Sequence, residues 1–361
     1  MDRHAGIDRP GSAIDGAGER SRTRDHGEIR VTRPRRRVAF RGLLFAMVLG
    51  LWPGSAAPQL ASAATATAVV RSTGPGALIP RQQVVRRTLR ADTTEQYLLY
   101  IPGRGGADAP LFVTAHGVSR NVEEHATLFA PFAERQGVVL VAPFFDELRH
   151  GDYQRLGRQG RGPRSDQVLD SILAEVRRLT GAQAGRFRMF GFSGGAQFAH
   201  RYAMAHPERI AHAVIGSAGW YTFPDSATPY PYGTGPSSER EGLRFDPDAF
   251  LRVPMTVLVG GADTGTTNLR QNEQVDRQQG TTRRERAWNW TAAMRRAALA
   301  RGQAPLVTCE EVPGIPHNFG KFMAKGGLGE KVFGAMFGPA APAVPRPPEP
   351  AAAAHGAGSR L

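Results

Sequence analysis

The alternation of apolar and polar positions predicts strands and helices that follow one another along most of the chain. Apolar runs typical of buried strands occur at 83–90, 95–101, 111–115, 138–142, 187–192, 210–215, 255–260 and 306–311. Apolar residues at helical spacing occur at 122–136, 165–181, 194–206, 283–301 and 322–337. This succession favours an α/β fold whose mostly parallel central sheet has helices on both faces and begins with a hairpin.

One segment, 219–254, departs from this regularity. Its aromatic residues stand among Pro, Gly and Ser without helical or strand periodicity, and they are Trp220, Tyr221, Phe223, Tyr230, Tyr232 and Phe245. We interpret the segment as a small insertion over the sheet that forms a cap or pocket wall, with a decorative surface loop as the alternative. On the first interpretation, Trp220 and Tyr221 are expected to contact a substrate.

The first 63 residues have the three parts of a secretory signal. Residues 1–30 are polar and are expected to be disordered or removed. A cluster of arginines at 33–41 precedes an apolar run at 42–52, and Ala61, Ser62 and Ala63 supply small residues for cleavage. The run is shorter than the roughly 20 residues that span a bilayer. We therefore expect export to the periplasm or the medium as a soluble protein that meets the membrane only during export, with the Sec and Tat routes both open.

The remaining chain is predicted to be one catalytic domain, 64–338, followed by a disordered tail rich in Pro and Ala, 339–361. Cys309 is the single cysteine, so the domain has no internal disulfide and depends on its apolar core. Because Cys309 falls in the last predicted strand, we expect a buried structural thiol.

The charge of the chain raises the question of a polyanionic partner. The formal net charge is +14, but residues 1–63 hold 11 basic and 6 acidic residues, so the remainder carries +9. The arginines are spread along the chain and are not interleaved with aromatic residues as in a base-stacking surface. We expect a basic soluble surface and no nucleic-acid partner.

Ser193 stands at the most informative point of the chain, between a predicted strand and a predicted helix. Gly191, Gly194 and Gly195 surround it in the pattern Gly-x-Ser-x-Gly. A serine that attacks a carbonyl must be held out of the fold on a strained turn, which tolerates only very small neighbours. Chance alone gives roughly 0.2 such matches in a chain of this composition, but the strand before the pattern and the helix after it indicate a nucleophile elbow.

A second corner follows the strand at 111–115, at His116-Gly117-Val118. A carbonyl under attack gains negative charge on its oxygen, which two fixed backbone N–H groups can stabilise. The expected donors are the amides of Val118 and Gly194, and Gly117 is expected to permit close approach. His116 is expected to shape this corner and to contact substrate. An ordinary strand-end turn is the alternative.

Candidate chemistry collects where strands end. Parallel sheets carry their sites at the carboxyl ends of the strands, and His116, Ser193, Asp263 and His317 all fall there. The order Ser, Asp, His resembles that of the α/β-hydrolase superfamily over about residues 83–337. The segments 97–102, 110–117 and 191–195 further resemble secreted esterases of the polyhydroxybutyrate depolymerase and feruloyl esterase group, although Val118 stands where that group often has Cys.

The resemblance implies a role for each of three residues. Ser193 would be the nucleophile, His317 the general base and then general acid, and Asp263 the residue that orients the imidazole. Other acids remain rivals of Asp263, namely Asp225, Asp246, Asp248 and Asp276. The remaining histidines within the predicted helices and strands are expected to be structural.

The predicted function is that of an exported serine hydrolase of carboxylic esters, with small-molecule or oligomeric esters as substrates. No metal-ligand or phosphate-loop pattern occurs in the sequence, so no metal and no cofactor are expected. Hydrolysis of peptides or thioesters is an alternative on the same scaffold. A non-catalytic protein that binds polyanions is an alternative from another class.

Overall fold

The computed structural model describes residues 69–71, 79–157 and 162–338. The predicted signal peptide within 1–63 and the predicted tail 339–361 lie outside the described residues. Within the described ranges, no helix is both long enough and apolar enough to span a membrane.

Nine strands of the described chain form one sheet. In chain order they are β1 (Val69–Arg71), β2 (Val84–Thr88), β3 (Gln96–Tyr100), β4 (Pro110–Ala115), β5 (Val139–Phe144), β6 (Gln183–Phe192), β7 (Ile210–Gly216), β8 (Met255–Gly260) and β9 (Val307–Val312). Their spatial order is β1-β2-β3-β5-β4-β6-β7-β8-β9. β3 runs antiparallel to β2 and β5, and the other pairs are parallel.

Eight α-helices accompany the sheet in the described ranges. They are α1 (Val122–Gln136), α2 (Ser165–Thr180), α3 (Gly194–Ala205), α4 (Pro247–Phe250), α5 (Glu273–Gln279), α6 (Arg283–Leu299), α7 (Phe319–Gly326) and α8 (Leu328–Phe337). The predicted α/β fold with a mostly parallel sheet is confirmed. The helix α5 was not predicted, because the apolar pattern of the sequence gave no sign of it.

Two apolar clusters hold the layers together, one on each face of the sheet. Because side chains alternate along a strand, Phe187 and Met189 of β6 join the cluster that contains Trp290 of α6, whereas Phe190 joins the one that contains Phe129 of α1. Burial of each such large side chain contributes roughly 1.5–3 kcal/mol. The two clusters therefore cover both faces of the sheet, and the candidate site lies at the carboxyl ends of its strands.

Among the differences from the predicted boundaries, two have identifiable reasons. The helix expected at 322–337 is two helices, because Gly327 has φ of 61° and ends α7 in the left-handed region. β6 begins at Gln183, four residues before the predicted run, and only Ala184 of its first four residues is buried, so they form no apolar block. Neither difference moves a residue of the candidate site.

Candidate active site

The Ser193 corner is set by contacts that exclude side chains. Ser193 lies between β6 and α3 with φ of 55° and ψ of −113°, a conformation that costs a non-glycine residue energy. A Cβ on Gly191 would lie 2.0 Å from the Gly195 carbonyl oxygen, and one on Gly195 would lie 2.0 Å from that of Ala115. These contacts require glycine at both positions, which is the physical reason for the Gly-x-Ser-x-Gly pattern.

The structure brings Ser193, His317 and Asp263 together from three separate loops. His317 Nε2 lies 3.0 Å from Ser193 Oγ, and His317 Nδ1 lies 2.8 Å from Asp263 Oδ2. With Nδ1–H donating to the carboxylate, Nε2 is free to accept the proton of the serine. The imidazole also stacks on Phe192, with ring centroids 5.2 Å apart. This arrangement has the geometry of a nucleophile, a base and an orienting acid.

Asp263 occupies the acid position, and its rivals lie elsewhere. Asp263 is 1% exposed and lies three residues after the end of β8, where its amide donates to the Gly260 carbonyl at 3.0 Å. The rivals are held by other contacts: Asp225 accepts from Thr228 in its own turn, Asp246 caps α4, Asp248 pairs with Arg301, and Asp276 pairs with Arg286.

The two expected oxyanion donors, the amides of Val118 and Gly194, lie close to each other. A Cβ on Gly194 would lie 3.2 Å from the Val118 amide nitrogen and 2.8 Å from the Tyr153 hydroxyl. Among the described residues, neither the Val118 nor the Gly194 N–H donates a hydrogen bond, and the first N–H groups of a helix are free by construction. Two unpaired donors beside a nucleophile can stabilise a developing negative charge.

Tyr153 stabilises this corner, although the sequence offered no sign of it. Its hydroxyl donates to the His116 carbonyl at 2.7 Å, and its ring stacks on Phe145 with centroids 4.9 Å apart. Tyr153 lies in a short 3-10 turn within a stretch rich in Arg and Gly, where one aromatic residue carries no periodic signal. It fixes the peptide that precedes Gly117 and, through it, the Val118 amide.

Two expectations about this corner are wrong. His116 is fully buried, so it does not contact substrate. Its Nδ1–H donates to the Gly117 carbonyl at 2.8 Å, and its Nε2 accepts from the Phe145 amide at 3.1 Å. Desolvation lowers the pKa of His116 to about 4, so the ring is neutral at pH 7. A Cβ on Gly117 would meet its nearest atoms at 3.6 Å, an ordinary contact, and the close approach occurs at Gly195 instead.

A cleft of about 360 Å³ opens beside the nucleophile. Apart from Ser193 and His317, its lining has a mixed character, with polar and apolar side chains side by side. The lining comprises Gly117, Val118, Ser119, Asn121, Glu124, Phe192, Asn268, Asn318, Phe319 and Gly320. Val118 is the most prominent apolar contact on its rim, since its side chain is 47% exposed.

The aromatic segment contributes none of these lining residues, which corrects the expectation for Trp220 and Tyr221. Tyr221 is fully buried and stacks on Trp290 with ring centroids 4.8 Å apart. Trp220 is 5% exposed and packs between the Tyr232 ring and the guanidinium of Arg201, which lies 4.2 Å from the indole centroid. Both rings are part of the protein interior and are not available as a wall of this cleft.

The region offers no evident place for a metal. Among the described residues, no group of three or more His, Cys, Asp or Glu side chains converges as a ligand set. Cys309 is half-buried in β9, and desolvation raises the pKa of its thiol to about 12.

Comparisons with known proteins bear on the fold. No family model matches the chain, and a search of curated proteins also found no match. The solved poly(3-hydroxybutyrate) depolymerase LpqC from Bordetella parapertussis is similar, with 28% identity, a TM-score of 0.57, and coverage of 69% of this chain and 86% of that one. Poly(aspartic acid) hydrolase-1 from Sphingomonas sp. KT-1 has the same TM-score at 24% identity, with coverage of 66% and 93%.

The fold is that of the α/β-hydrolases, and Ser193, His317 and Asp263 have the geometry of a serine-hydrolase triad. Within that superfamily the chain resembles the polyhydroxybutyrate depolymerase group, as the sequence segments at 97–102, 110–117 and 191–195 predicted.

Proposed function

We propose that the protein is an exported hydrolase that cleaves carboxylic esters through an acyl-enzyme on Ser193. The observation that carries the proposal is the continuous chain of contacts from Ser193 Oγ through His317 to Asp263, at 3.0 and 2.8 Å. Such a chain activates a hydroxyl that is otherwise a weak nucleophile. The three-part signal within residues 1–63 supports export.

The first half of the reaction follows from the positions of the proton acceptors. Ser193 Oγ attacks the ester carbonyl carbon while His317 Nε2 takes the hydroxyl proton, and Asp263 stabilises the imidazolium that forms. The carbonyl oxygen becomes an oxyanion that accepts from the Val118 and Gly194 amides. Each such donor lowers the barrier by about 3 kcal/mol in comparable sites. His317 then protonates the leaving alcohol, and the acyl group stays on Ser193.

The second half repeats these steps with water. His317 accepts a proton from a water molecule as its oxygen attacks the acyl carbonyl, the same two amides hold the oxyanion, and Ser193 leaves with the proton that His317 returns. The products are a carboxylic acid and the free enzyme. Apart from this water molecule and the ester, every group that the cycle uses is a side chain or backbone amide of the protein.

The dimensions of the cleft favour short acyl groups. A volume of about 360 Å³ lined by both polar and apolar side chains accommodates a small ester. The aromatic residues in its lining are Phe192 and Phe319, which are 5% and 4% exposed, so a flat acyl group can contact only a small part of each ring. We therefore propose short-chain or small aromatic acyl esters as substrates. The likeness to a poly(3-hydroxybutyrate) depolymerase supports an ester of a short hydroxy acid among them.

One experiment tests the mechanism and the substrate class together. We expect the parent protein to hydrolyse nitrophenyl acetate, butyrate and feruloyl esters with higher kcat/KM than the decanoate, and Ser193→Ala to lose activity on all of them. Removal of the nucleophile of such a triad costs about 10⁶ in kcat. A fluorophosphonate probe should label the parent and not the variant.

The contrary outcomes are distinct. Undiminished hydrolysis by purified Ser193→Ala would refute the serine mechanism, whereas a maximum at the decanoate would refute only the substrate class. Absence of probe labelling together with salt-sensitive binding to a polyanion would favour the non-catalytic alternative.

A further inference from the structure

The buried side chain of Arg283 contacts the Asp263 carboxylate at the oxygen that His317 does not bind. Arg283 is the first residue of α6 and is 2% exposed. Its Nη1 lies 3.5 Å from Asp263 Oδ1 and donates to the Gly265 carbonyl at 3.1 Å, while Nη2 donates to the Thr267 carbonyl at 2.9 Å. One guanidinium thus connects the acid to the loop that carries it.

We propose that Arg283 is a positioning residue of the hydrolytic reaction, which holds Asp263 in place and balances its charge so that His317 serves as a base. This inference rests on the function proposed above. Arg283 does not touch the reacting atoms, and it acts through Asp263.

The first part of the argument is geometric. The two oxygens of Asp263 have separate partners, because Oδ2 faces His317 at 2.8 Å and Oδ1 faces Arg283 at 3.5 Å. A carboxylate that is 1% exposed is expensive to bury unless a charge or hydrogen bonds compensate it. The planar fork of Arg283 binds two further carbonyls of the same loop, so the carboxylate and its backbone are fixed as one unit.

The second part concerns charge. An unopposed Asp263 carboxylate would stabilise the imidazolium form of His317 relative to the neutral base. The guanidinium of Arg283 opposes this effect. Burial lowers the pKa of Arg283 while the Asp263 carboxylate raises it, and an arginine remains charged in any case. Arg283 therefore offsets part of the carboxylate charge that His317 faces.

Other charged and titratable groups near the triad do not take over this role. Glu124 of α1 lines the cleft with His317 and accepts from the side chain of Asn121. Glu311 of β9 pairs with Arg284 at 2.8 Å near the surface. Burial, followed by the charges of Cys309 and Asp263, raises the pKa of Tyr221, and burial raises that of the Cys309 thiol to about 12, so both groups are neutral at pH 7.

Arg286, three residues further along the same helix, provides a matched control. It is fully buried and donates to the carbonyls of Gly219 at 2.7 Å and Arg270 at 2.9 Å, and it pairs with Asp276 at 2.6 Å. Arg286 therefore anchors loops as Arg283 does, but it makes no hydrogen bond to Asp263. A variant at Arg286 measures the effect of losing a buried anchor without losing a contact to the triad.

The experiment compares Arg283→Gln, Arg283→Lys and Arg286→Gln by the pH dependence of kcat/KM on nitrophenyl acetate. We expect Arg283→Gln to lose about 10-fold to 100-fold in kcat/KM at pH 7, mostly in kcat, because Asp263 is displaced. We also expect the midpoint of its acid limb to move to higher pH by about half a unit or more. Arg283→Lys should restore the midpoint and part of the rate, and Arg286→Gln should keep the midpoint of the parent.

Two results would overturn the inference. One is an acid limb of Arg283→Gln that coincides with that of the parent, and the other is an equal shift in Arg286→Gln. If Arg283→Gln does not fold, Arg283→Lys decides: reduced kcat at an unchanged midpoint supports the proposal, and a displaced midpoint or full activity contradicts it. Ser193→Ala is assayed alongside, so that a failure of the serine mechanism is recognised separately.

Discussion

The segments that follow β4 and β7 use their residues in opposite ways. After β4, the short loop 116–121 buries its one aromatic ring, His116, and contributes Val118 to the lining of the cleft. After β7, the long segment 219–254 contains many aromatic rings, and Tyr221 and Tyr230 are turned into the core. The loop with few reactive or aromatic side chains thus lies at the candidate active site, whereas the rings of the aromatic-rich segment pack into the protein interior.

The difference has an energetic cause. A large ring gains most when all of its apolar area leaves water, and a buried aromatic partner adds to this. Tyr221 finds such a partner in Trp290, at 4.8 Å and 20° between planes. A backbone N–H, in contrast, is useful to a reaction only while it stays unpaired. Aromatic content is therefore a poor sign of a binding wall, whereas a strained turn between a strand and a helix is a good sign of a nucleophile.

The largest expected effect tests the interior role of Tyr221. We expect Tyr221→Ala to lower the free energy of unfolding by about 3–5 kcal/mol, as for other large buried rings, because a cavity is left against Trp290. Urea denaturation followed by circular dichroism measures this loss. At a temperature where the variant stays folded, its KM for nitrophenyl acetate should match that of the parent.

Tyr221→Phe is the matched control, because it keeps the ring and removes only the hydroxyl. It should retain most of the stability. If instead Tyr221→Ala left the stability unchanged and raised KM strongly, Tyr221 would be a substrate contact and the contrast between the two segments would be lost.

The next effect tests the loop after β4 by deleting one hydrogen. Val118→Pro removes the amide proton and retains an apolar side chain, so the oxyanion loses one donor. We expect kcat to fall by about 10²–10³, equivalent to about 2.7–4 kcal/mol in the barrier, with a smaller change in KM. Steady-state kinetics on nitrophenyl acetate gives both constants.

Val118→Ala serves as the control, since it keeps the amide and removes two methyl groups from the rim of the cleft. Its kcat should remain near that of the parent. Equal losses of kcat in both variants would show that the side chain matters and the amide does not. Thermal unfolding of Val118→Pro establishes that the loop change has not unfolded the protein.

The nucleophile elbow could be predicted from the sequence because its steric limits require glycine at fixed positions. Gly191 and Gly195 stand where a Cβ would overlap a carbonyl oxygen, and this requirement appears directly as a residue pattern. The α/β alternation was equally readable, since burial on both faces of a parallel strand produces continuous apolar runs. Even so, the break between α7 and α8 was missed, because the apolar spacing continues across Gly327.

The supporting side chains could not be predicted in this way. α6 contains several arginines, and the sequence does not distinguish the buried ones from the exposed ones. Arg283 and Arg286 are buried, whereas Arg284 pairs with Glu311 near the surface. Burial of an arginine depends on carbonyls from distant loops, such as those of Gly265 and Thr267. Tyr153 is similar, because its role depends on the position of the His116 carbonyl. Tertiary contacts of this kind have no local signature.

The smallest expected effect concerns two buried neutral histidines, one within the first segment and one that contacts the second. His116 lies in the first segment, and His200 of α3 accepts from the Thr222 amide at 3.0 Å beneath the second. Burial lowers the pKa of His116 to about 4, and burial followed by the charge of Arg201 lowers that of His200 well below its usual range. Acidification should therefore weaken both segments.

The direction follows from proton binding. An unfolded histidine titrates near 6.5, so between pH 6.5 and 4 the unfolded chain binds more protons at these positions than the folded one. The free energy of unfolding therefore falls as the pH is lowered through this window, and we expect His116 to account for about 2 kcal/mol of loss at pH 5. Carboxylates with lowered pKa, such as that of Asp166, act mainly below this range.

Urea denaturation of the parent, His116→Gln and His200→Gln at pH 7, 6 and 5 measures these contributions. Each variant should lose less stability on acidification than the parent does, because it lacks one histidine that binds a proton more readily in the unfolded chain. Hydrogen exchange at pH 5 should show reduced protection around both Phe145 and Thr222, whose amides donate to the two rings. A stability that stays constant or rises from pH 7 to pH 5 would contradict the prediction. If only one of the two variants loses less stability than the parent on acidification, the acid sensitivity belongs to the segment that contacts that histidine, and the contrast between the segments becomes sharper.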